Sequence, residues 1–432
     1  MEYLIPIPAF ALLLALSVSR NRKDLTCPSV ILGAQYLVMA ICAAFVSVEI
    51  SQGDGLLDNP FVAIAAYAVG LIVALLPSLF IRPIRLSLDT IESEVGKWPI
   101  LAASIYGYYA VAVLMPYFVK SLSMNAYGLR ELGESEIVDG SLLLRTAIAA
   151  SSLSSIYGLV LFSDHEYRLS WFRRMGLIAG FISYGMMVQL HKGRDAMVYY
   201  PFMLVLYYWL FHKQWSEKTR TMYRRLLGIG GGVCVALFLI FTMQRFGKGT
   251  VDPDVHNGTI DYLGQQVYTF AGIVSDDSVP EGHREFLFPA YYYLLDGRWF
   301  DVSEFLNGRS RWYESRFGTF LGSLYLAFQW KGLVIFVILF SVAFAALFRR
   351  MSSSFAVSYG LLVILYFQFM FQGAFYWMFC GRQGNIAALA LIAGSIFCWM
   401  KRRIGLLYWP QSCVVARAHA RRDGSAADCS VR

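Results

Sequence analysis

Three arginines stand where the chain is expected to turn between long apolar stretches. Arg194 lies in the segment His191–Asp195, Arg382 precedes an apolar stretch near the C-terminus, and Arg145 comes at the start of another. A guanidinium keeps its charge at any ordinary pH, and its planar fork matches the oxygens of a phosphate group. These arginines, with the neighbouring Lys192, therefore predict a phosphate-binding site. The alternative for each of them is contact with lipid headgroups at a helix end.

A long polar segment, 244–317, carries the other groups that could do chemistry. It holds eleven acidic, seven basic and fifteen aromatic residues. Aromatic faces beside carboxylates and arginines, among them Arg298, Arg311 and Arg316, are typical of a glycan-binding surface. The alternative for the aromatic residues is packing at a membrane interface. Candidates for acid–base work are Asp252, Asp254, His256, Glu281, His283, Glu285 and Glu314.

The composition is typical of a membrane protein. Of the 432 residues, 57% are hydrophobic and only 15% are charged, whereas soluble domains carry roughly 25% charged residues. Uncharged apolar stretches such as 30–48 and 61–81 are long enough to cross a bilayer as helices. The net charge of +8 does not indicate nucleic-acid binding, because the positive charges lie in short connectors. No motif or residue spacing predicts a metal site or a cofactor.

The hydropathy pattern predicts an all-α polytopic membrane protein with about 11 transmembrane helices and one large outer loop. We place the spans at 3–19, 28–50, 60–82, 99–119, 142–163, 175–191, 195–212, 226–243, 332–348, 355–377 and 385–400. Lysine and arginine collect in alternate connectors, which the positive-inside rule assigns to the cytoplasm. We therefore expect the N-terminus and the polar segment outside the membrane and the C-terminus inside.

Two parts near the C-terminus depart from simple spans. The stretch Thr319–Trp330 is too short to cross a bilayer alone, and Lys331-Gly332 separates it from the next span, so we expect a re-entrant half-helix there. From Gln411 onward the chain is polar and rich in alanine and arginine, and we expect it to be disordered. The chain thus divides into a membrane domain with spans 1–8, a large periplasmic loop, a half-helix with spans 9–11, and a cytoplasmic tail, at 1–243, 244–317, 318–403 and 404–432.

Three stretches resemble the bacterial oligosaccharide repeat-unit polymerases, the Wzy-type O-antigen and capsule polymerases, which are related to the O-antigen ligases. His191–Asp195 before an apolar span is similar to the Gly/Ser-Arg that opens a span in that family. Tyr262–Ile273 resembles the entry to the family's outer loop, and Gly318–Tyr325, running to Lys331-Gly332, resembles its loop-exit helix. The ligases have a histidine near that exit, where this chain has Arg316–Thr319, so the resemblance favours a polymerase.

The resemblance implies a GT-C-like fold in the bacterial inner membrane and an enzyme that acts at its outer face. Such an enzyme joins undecaprenyl-diphosphate-linked oligosaccharide repeats into O-antigen, capsule or exopolysaccharide. It would need no cofactor and no metal, because the lipid diphosphate is already an activated leaving group. The partners implied are the lipid-linked oligosaccharide, the lipid bilayer, a chain-length regulator and a flippase, and no nucleic acid.

On this interpretation, Arg194, with Arg382 or an arginine of the polar segment such as Arg316, holds the diphosphate and stabilises its developing charge. The resemblance does not assign the base. An acid of the polar segment, of which Glu314 is nearest to the exit helix, is the candidate to take the proton of the acceptor hydroxyl. The residues expected to bind substrate are Arg145, Lys192, Arg298, Arg311 and Arg382. Two other classes stay open. One is a flippase for lipid-linked oligosaccharides. The other is a different polyprenyl-phosphate-dependent glycosyltransferase with its catalytic carboxylate in the first outer loop, where the chain has Glu49, Asp54 and Asp58.

Overall fold

The computed structural model of this chain describes residues 2–21, 24–53, 60–84, 86–122, 141–190, 195–246, 258–275, 287, 319–351, 356–375, 377 and 382–422. Within these ranges the secondary structure consists of helices, with no strand. Most of the connector between the fourth and fifth predicted spans and most of the second half of the polar segment lie outside them.

Fourteen α-helices follow one another in the described ranges. They are α1 (Pro6–Arg20), α2 (Pro28–Gly53), α3 (Phe61–Leu75), α4 (Leu88–Glu94), α5 (Lys97–Leu122), α6 (Leu142–Ser151), α7 (Ser154–Ser163), α8 (Trp171–Leu190), α9 (Asp195–Phe211), α10 (Glu217–Phe246), α11 (Gly258–Ser275), α12 (Thr319–Arg350), α13 (Ala356–Gln372) and α14 (Arg382–Arg422). A 3₁₀ helix, Leu76–Phe80, continues α3. Each interval predicted as a span overlaps one of these helices or the bent pair α6–α7.

Six helical segments in the described ranges are long and apolar enough to cross a membrane. They are Glu2–Arg20, Pro28–Phe45, Phe61–Phe80, Lys97–Ser121, Thr319–Arg350 and Gln383–Ile404. The helices α6 and α7 meet at a bend of 47°, and together they could form a seventh membrane span. In the ranges that the structure describes, the chain is therefore all-helical, with six or seven helices that could span a membrane.

The connectors rich in lysine and arginine meet at one end of the bundle, which we call the basic end. Arg20 at the end of α1 and Arg349 near the end of α12 both lie over the ring of Phe80, at 4.8 and 3.8 Å from its centre. Arg402 of α14 donates to Glu94 of α4 at 2.6 Å. The alternation of basic connectors along the sequence thus agrees with the way in which the helices pack.

Glu94, the last residue of α4, is buried at the basic end. Its Oε1 accepts from Arg402, whereas its Oε2 has no hydrogen-bond partner among the described atoms. Burial raises the pKa of Glu94 above its usual value, and the charge of Arg402 offsets this only in part. The folded chain therefore favours the protonated carboxyl group more strongly than the unfolded chain does.

Replacing Glu94 by glutamine is expected to stabilise the protein relative to the native chain increasingly as the pH rises. A group whose pKa is raised on folding stabilises the fold below its unfolded-state value, here 4.5, and loses that contribution as the pH rises through the folded-state value. Glutamine does not titrate. Thermal unfolding of both purified proteins from about pH 4 to about pH 8 measures the difference. A difference in Tm that is constant across this range would contradict the prediction.

α11 lies within the segment 244–317, which was expected to be one outer loop. It packs along α2 so closely that a Cβ on Gly264 would lie 2.7 Å from the backbone nitrogen of Ala43. Its polar residues Gln266 and Thr269 are fully buried. Hydropathy misses such a helix, because polar side chains lower its average even when they face the interior of the bundle. Gly258–Ser275 is therefore a helix packed into the bundle rather than part of a polar loop.

α12 folds back on itself at Gln329, where φ is 55° and ψ is −170°. The rings of Phe320 and Phe340 both pack on Phe369, with centroids 5.1 and 4.7 Å from it. In a continuous helix, residues 20 positions apart would be separated by about 30 Å. The segments on either side of Gln329 therefore lie side by side, and we call 319–328 the half-helix.

The fold lies two residues before Lys331-Gly332, where the sequence predicted it. Gly332 lies directly against Phe328 at the fold. A side chain at position 332 would crowd that ring, because its Cβ would lie 3.0 Å from Cγ of Phe328, and glycine avoids this contact. Gln329 itself adopts a backbone conformation that is essentially reserved for glycine. Nothing in the residue type at Gln329 therefore signals the position of the fold.

The C-terminal part of the chain also differs from expectation. α14 continues without a break from Arg382 to Arg422, so the residues from Gln411 to Arg422 are helical rather than disordered. Alanine and arginine, which are frequent in 415–422, are among the strongest helix formers. Low hydropathy alone was therefore a poor guide to order in this segment.

Candidate functional site

The end of α13 and the start of α12 hydrogen-bond to each other. The backbone N–H of Thr319 donates to Phe375 O at 3.2 Å, and that of Phe320 donates to Gly373 O at 2.9 Å. Both Thr319 and Phe320 are buried, as is Ala374 between the two acceptors. We call this region, 319–321 with 373–375, the interior junction.

The interior junction lies well within the length of its neighbouring helices. A Cβ on Gly70, the tenth residue of the 20-residue segment Phe61–Phe80, would contact Leu321 at 3.3 Å. Tyr36, the ninth residue of the 26-residue α2, donates from its hydroxyl to Met370 O at 2.7 Å. In a membrane, irregular backbone at such depth is tolerated only where protein or a water-filled cavity surrounds it.

The last carbonyl groups of α13 are satisfied by the surrounding structure. A helix leaves its final four carbonyls without partners of its own. In α13, Phe369 O accepts from Gly373 N–H and Gln372 O accepts from Phe375 N–H. The two carbonyls between them accept from side chains of α2: Met370 O from the Tyr36 hydroxyl and Phe371 O from Gln35 Nε2. Two side chains of α2 thus hold the end of α13 in place beside the half-helix.

A second polar group joins α7, α9 and α13 beside this end. Gln368 donates from Nε2 to the hydroxyl of Tyr199 at 2.9 Å. The same hydroxyl lies 3.1 Å from Oγ of Ser154. All three residues are buried. The start of α9 is thereby fixed against the last turns of α13.

Several buried acceptors around the junction have no hydrogen-bond partner among the described atoms. They are Oε1 of Gln35, Oε1 of Gln368 and Oγ1 of Thr319. An unsatisfied buried polar atom costs about 1–3 kcal/mol, and such atoms are usually paired with ordered water or ligand. Three of the ten such atoms among the described residues thus lie around the interior junction, which makes it a candidate place for a polar molecule.

Replacing Tyr36 by phenylalanine is expected to destabilise the protein by about 1–3 kcal/mol, because the carbonyl of Met370 loses its donor in a buried site. Thermal or denaturant unfolding of the purified protein measures the loss. Tyr106→Phe is a matched control, since the Tyr106 ring is 54% exposed. Equal stability of the two variants would show that the hydroxyl of Tyr36 does not support the junction.

Most residues assigned to the site from the sequence lie outside the described residues. These are Lys192, Arg194, Arg298, Arg311, Glu314 and Arg316. Arg145 is described and lies on an exposed face of α6, a helix that packs against α5 and α8. The structure therefore places Arg145 beside α5 and α8 rather than in the interior junction.

Arg382 begins α14 at the level of the junction. α13 and α14 are held together by Ser358 and Ser395, whose hydroxyls each donate to the other's carbonyl, at 2.9 and 3.2 Å. The two helices run antiparallel. Arg382 precedes Ser395 by 13 residues, and Phe371 follows Ser358 by the same 13 residues. The first residue of α14 is thus level with the last turn of α13.

Sequence reasoning missed the polar side chains that shape this region. It searched for ionisable groups, whereas Gln35, Tyr36, Tyr199 and Gln368 are neutral and lie in apolar stretches. A glutamine inside a predicted span was the signal available, since an amide in an apolar environment must find partners. Among the described residues, no group of three or more His, Cys, Asp or Glu side chains is arranged to hold a metal ion.

Comparison with known proteins gives no relative to set beside this site. The chain matches no protein-family profile, no curated protein and no solved structure.

Proposed function

We propose that this protein is a polymerase of undecaprenyl-diphosphate-linked oligosaccharide repeat units, with eleven transmembrane helices in a GT-C-like arrangement. It would lie in a bacterial inner membrane with the basic end in the cytoplasm. The observation that carries the proposal is the half-helix that starts at the interior junction, since broken helices at this depth form the substrate sites of membrane transporters and can do the same for a lipid-linked substrate. The order of the sequence motifs along the chain also supports it.

Chain connectivity ties three of the candidate arginines to the helix ends around the junction. Arg316 precedes Thr319 by three residues, a distance that the chain spans with at most about 11 Å. Arg194 directly precedes α9, and Arg382 is the first residue of α14. In our proposal these three guanidinium groups surround the diphosphate of the lipid-linked donor.

The proposed reaction transfers the growing glycan from one lipid to the next repeat unit. A hydroxyl oxygen of the acceptor sugar attacks the anomeric carbon of the donor, and the bond from that carbon to the lipid diphosphate breaks. The hydroxyl proton passes to Glu314, and the diphosphate leaves with the bonding electron pair. Arg194 and Arg316 stabilise the charge that develops on the leaving group, and Arg382, Lys192, Arg298 and Arg311 bind the substrates.

A deletion strain of the native bacterium tests this function. We expect its surface polysaccharide, run on a gel, to fall from a ladder to a single repeat unit, and the full gene to restore the ladder. Complete loss of the glycan would instead indicate the flippase or an earlier transferase. Unchanged long-chain polysaccharide would contradict a role in polymerisation.

A further inference from the structure

Among the described residues, several arginines of the basic end are ion-paired and several, among them Arg20 and Arg349, are not. Those near α4 are ion-paired: Arg168 with Asp89, Arg174 with Asp164, and Arg402 with Glu94. Arg20 and Arg349 have no ion-pair partner among the described residues, although both are exposed. Their charge is therefore available to a ligand in a way that the paired charges are not.

A shared aromatic ring holds these two arginines close together. Each guanidinium lies over the ring of Phe80, one at 4.8 Å and the other at 3.8 Å from its centre. The two like charges are therefore no farther apart than these two distances combined. The ring orients both groups through cation–π contact, but their mutual repulsion favours an anion that both can reach.

The helices that meet at this pair of arginines expose apolar side chains along their length. α3 packs against both α1 and α12, and Phe80 ends its 3₁₀ extension. All three helices expose large aliphatic side chains along the way, among them Leu12, Leu16, Val69, Leu76, Leu339 and Val342. Such side chains suit acyl chains, and the arginines stand at the end of the surface, at headgroup depth.

We infer that an anionic phospholipid binds along α1, α3 and α12 with its phosphate held by Arg20 and Arg349. The apolar surface fits its acyl chains, and two arginine forks with no carboxylate partner among the described residues fit a phosphodiester. The site is at the opposite end of the bundle from the starts of α9 and α14. It does not depend on the proposed function.

Native mass spectrometry of the full chain in nonionic detergent tests this site. Titration with phosphatidylglycerol, with phosphatidylcholine and with a polyprenyl phosphate gives the affinity of the first bound lipid for each headgroup. We expect phosphatidylglycerol to bind more tightly than phosphatidylcholine. We expect Arg20→Ala with Arg349→Ala to weaken phosphatidylglycerol binding on the order of 30-fold, from the usual contribution of a surface arginine to anionic-lipid binding, and to change polyprenyl phosphate binding less. Binding of phosphatidylcholine should change little.

The matched control is Arg168→Ala with Arg220→Ala, which removes the same charge from the basic end at two ion-paired positions. We expect it to keep the preference for phosphatidylglycerol. Phe80→Leu retains the apolar surface but removes the ring, and should weaken phosphatidylglycerol binding less than the double arginine variant. Equal loss in the control pair, no preference for phosphatidylglycerol over phosphatidylcholine in the native chain, or a double arginine variant that loses more affinity for polyprenyl phosphate than for phosphatidylglycerol would overturn the inference.

Discussion

Replacing Arg194 by alanine is expected to leave single repeat units on the cell surface in place of long polysaccharide. In our proposal this guanidinium stabilises the charge that develops on the departing diphosphate, and removal of one such group typically lowers the rate of the chemical step by about 100–1,000-fold. Expression of the variant in the deletion strain, followed by gel analysis of the surface glycan, measures the effect.

Two further variants make the result specific. Arg194→Lys keeps a positive charge but loses the planar guanidinium that can bind two phosphate oxygens. We therefore expect this variant to give short ladders, in contrast to the single repeat units of Arg194→Ala. Arg220→Ala removes an arginine from the basic end, where Arg220 pairs with Glu217, and should leave the ladder unchanged. Long polysaccharide from Arg194→Ala, at an expression level equal to that of the native chain, would contradict the role assigned to Arg194.

Replacing Phe369 by alanine is expected to destabilise the protein by about 3–5 kcal/mol, the usual loss for a buried phenylalanine. Its ring packs against both Phe320 of the half-helix and Phe340 of the returning segment, so the variant removes the surface on which α12 folds. Thermal unfolding in detergent measures the loss. Phe397→Ala is the control, because that ring is 55% exposed.

A cross-link distinguishes this packing from a loss of general core volume. Phe320→Cys with Phe340→Cys, in a chain whose other cysteines are replaced, should be joined by a short bifunctional reagent. A continuous helix would hold the two positions about 30 Å apart, beyond the reach of such a reagent. Failure to cross-link in a folded, membrane-inserted protein would show that α12 does not fold back at Gln329.

Two simple signals in the sequence agree with the described structure: the apolar stretches coincide with helices, and the alternate basic connectors meet at one end of the bundle. Uncharged stretches such as Phe61–Phe80 have no alternative to a helix if they are to satisfy their backbone in an apolar environment. The basic connectors gather at one end because alternate helix ends of an antiparallel bundle must meet there, as Arg20 and Arg349 do at Phe80.

Two features that the sequence did not predict, α11 and the interior junction, were missed for specific physical reasons. α11 escaped the hydropathy pattern because Gln266 and Thr269 are buried by packing against α2, which no local average can register. The interior junction escaped because neutral side chains build it: Gln35 and Tyr36 cap carbonyls of α13 from a helix near the other end of the sequence. Such pairings depend on tertiary structure, and the sequence contains only their individual residues.

Extension of a lipid-linked repeat by the purified protein tests the central claim most directly. The deletion strain should accumulate the single repeat on its lipid diphosphate, and an extract of those lipids supplies both donor and acceptor. Reconstituted with the full chain and a metal chelator, without added nucleotide, the extract is expected to give a ladder of longer glycans and free lipid diphosphate. Recovery of the single repeat alone, from a protein that restores the ladder in cells, would contradict polymerisation by this chain itself.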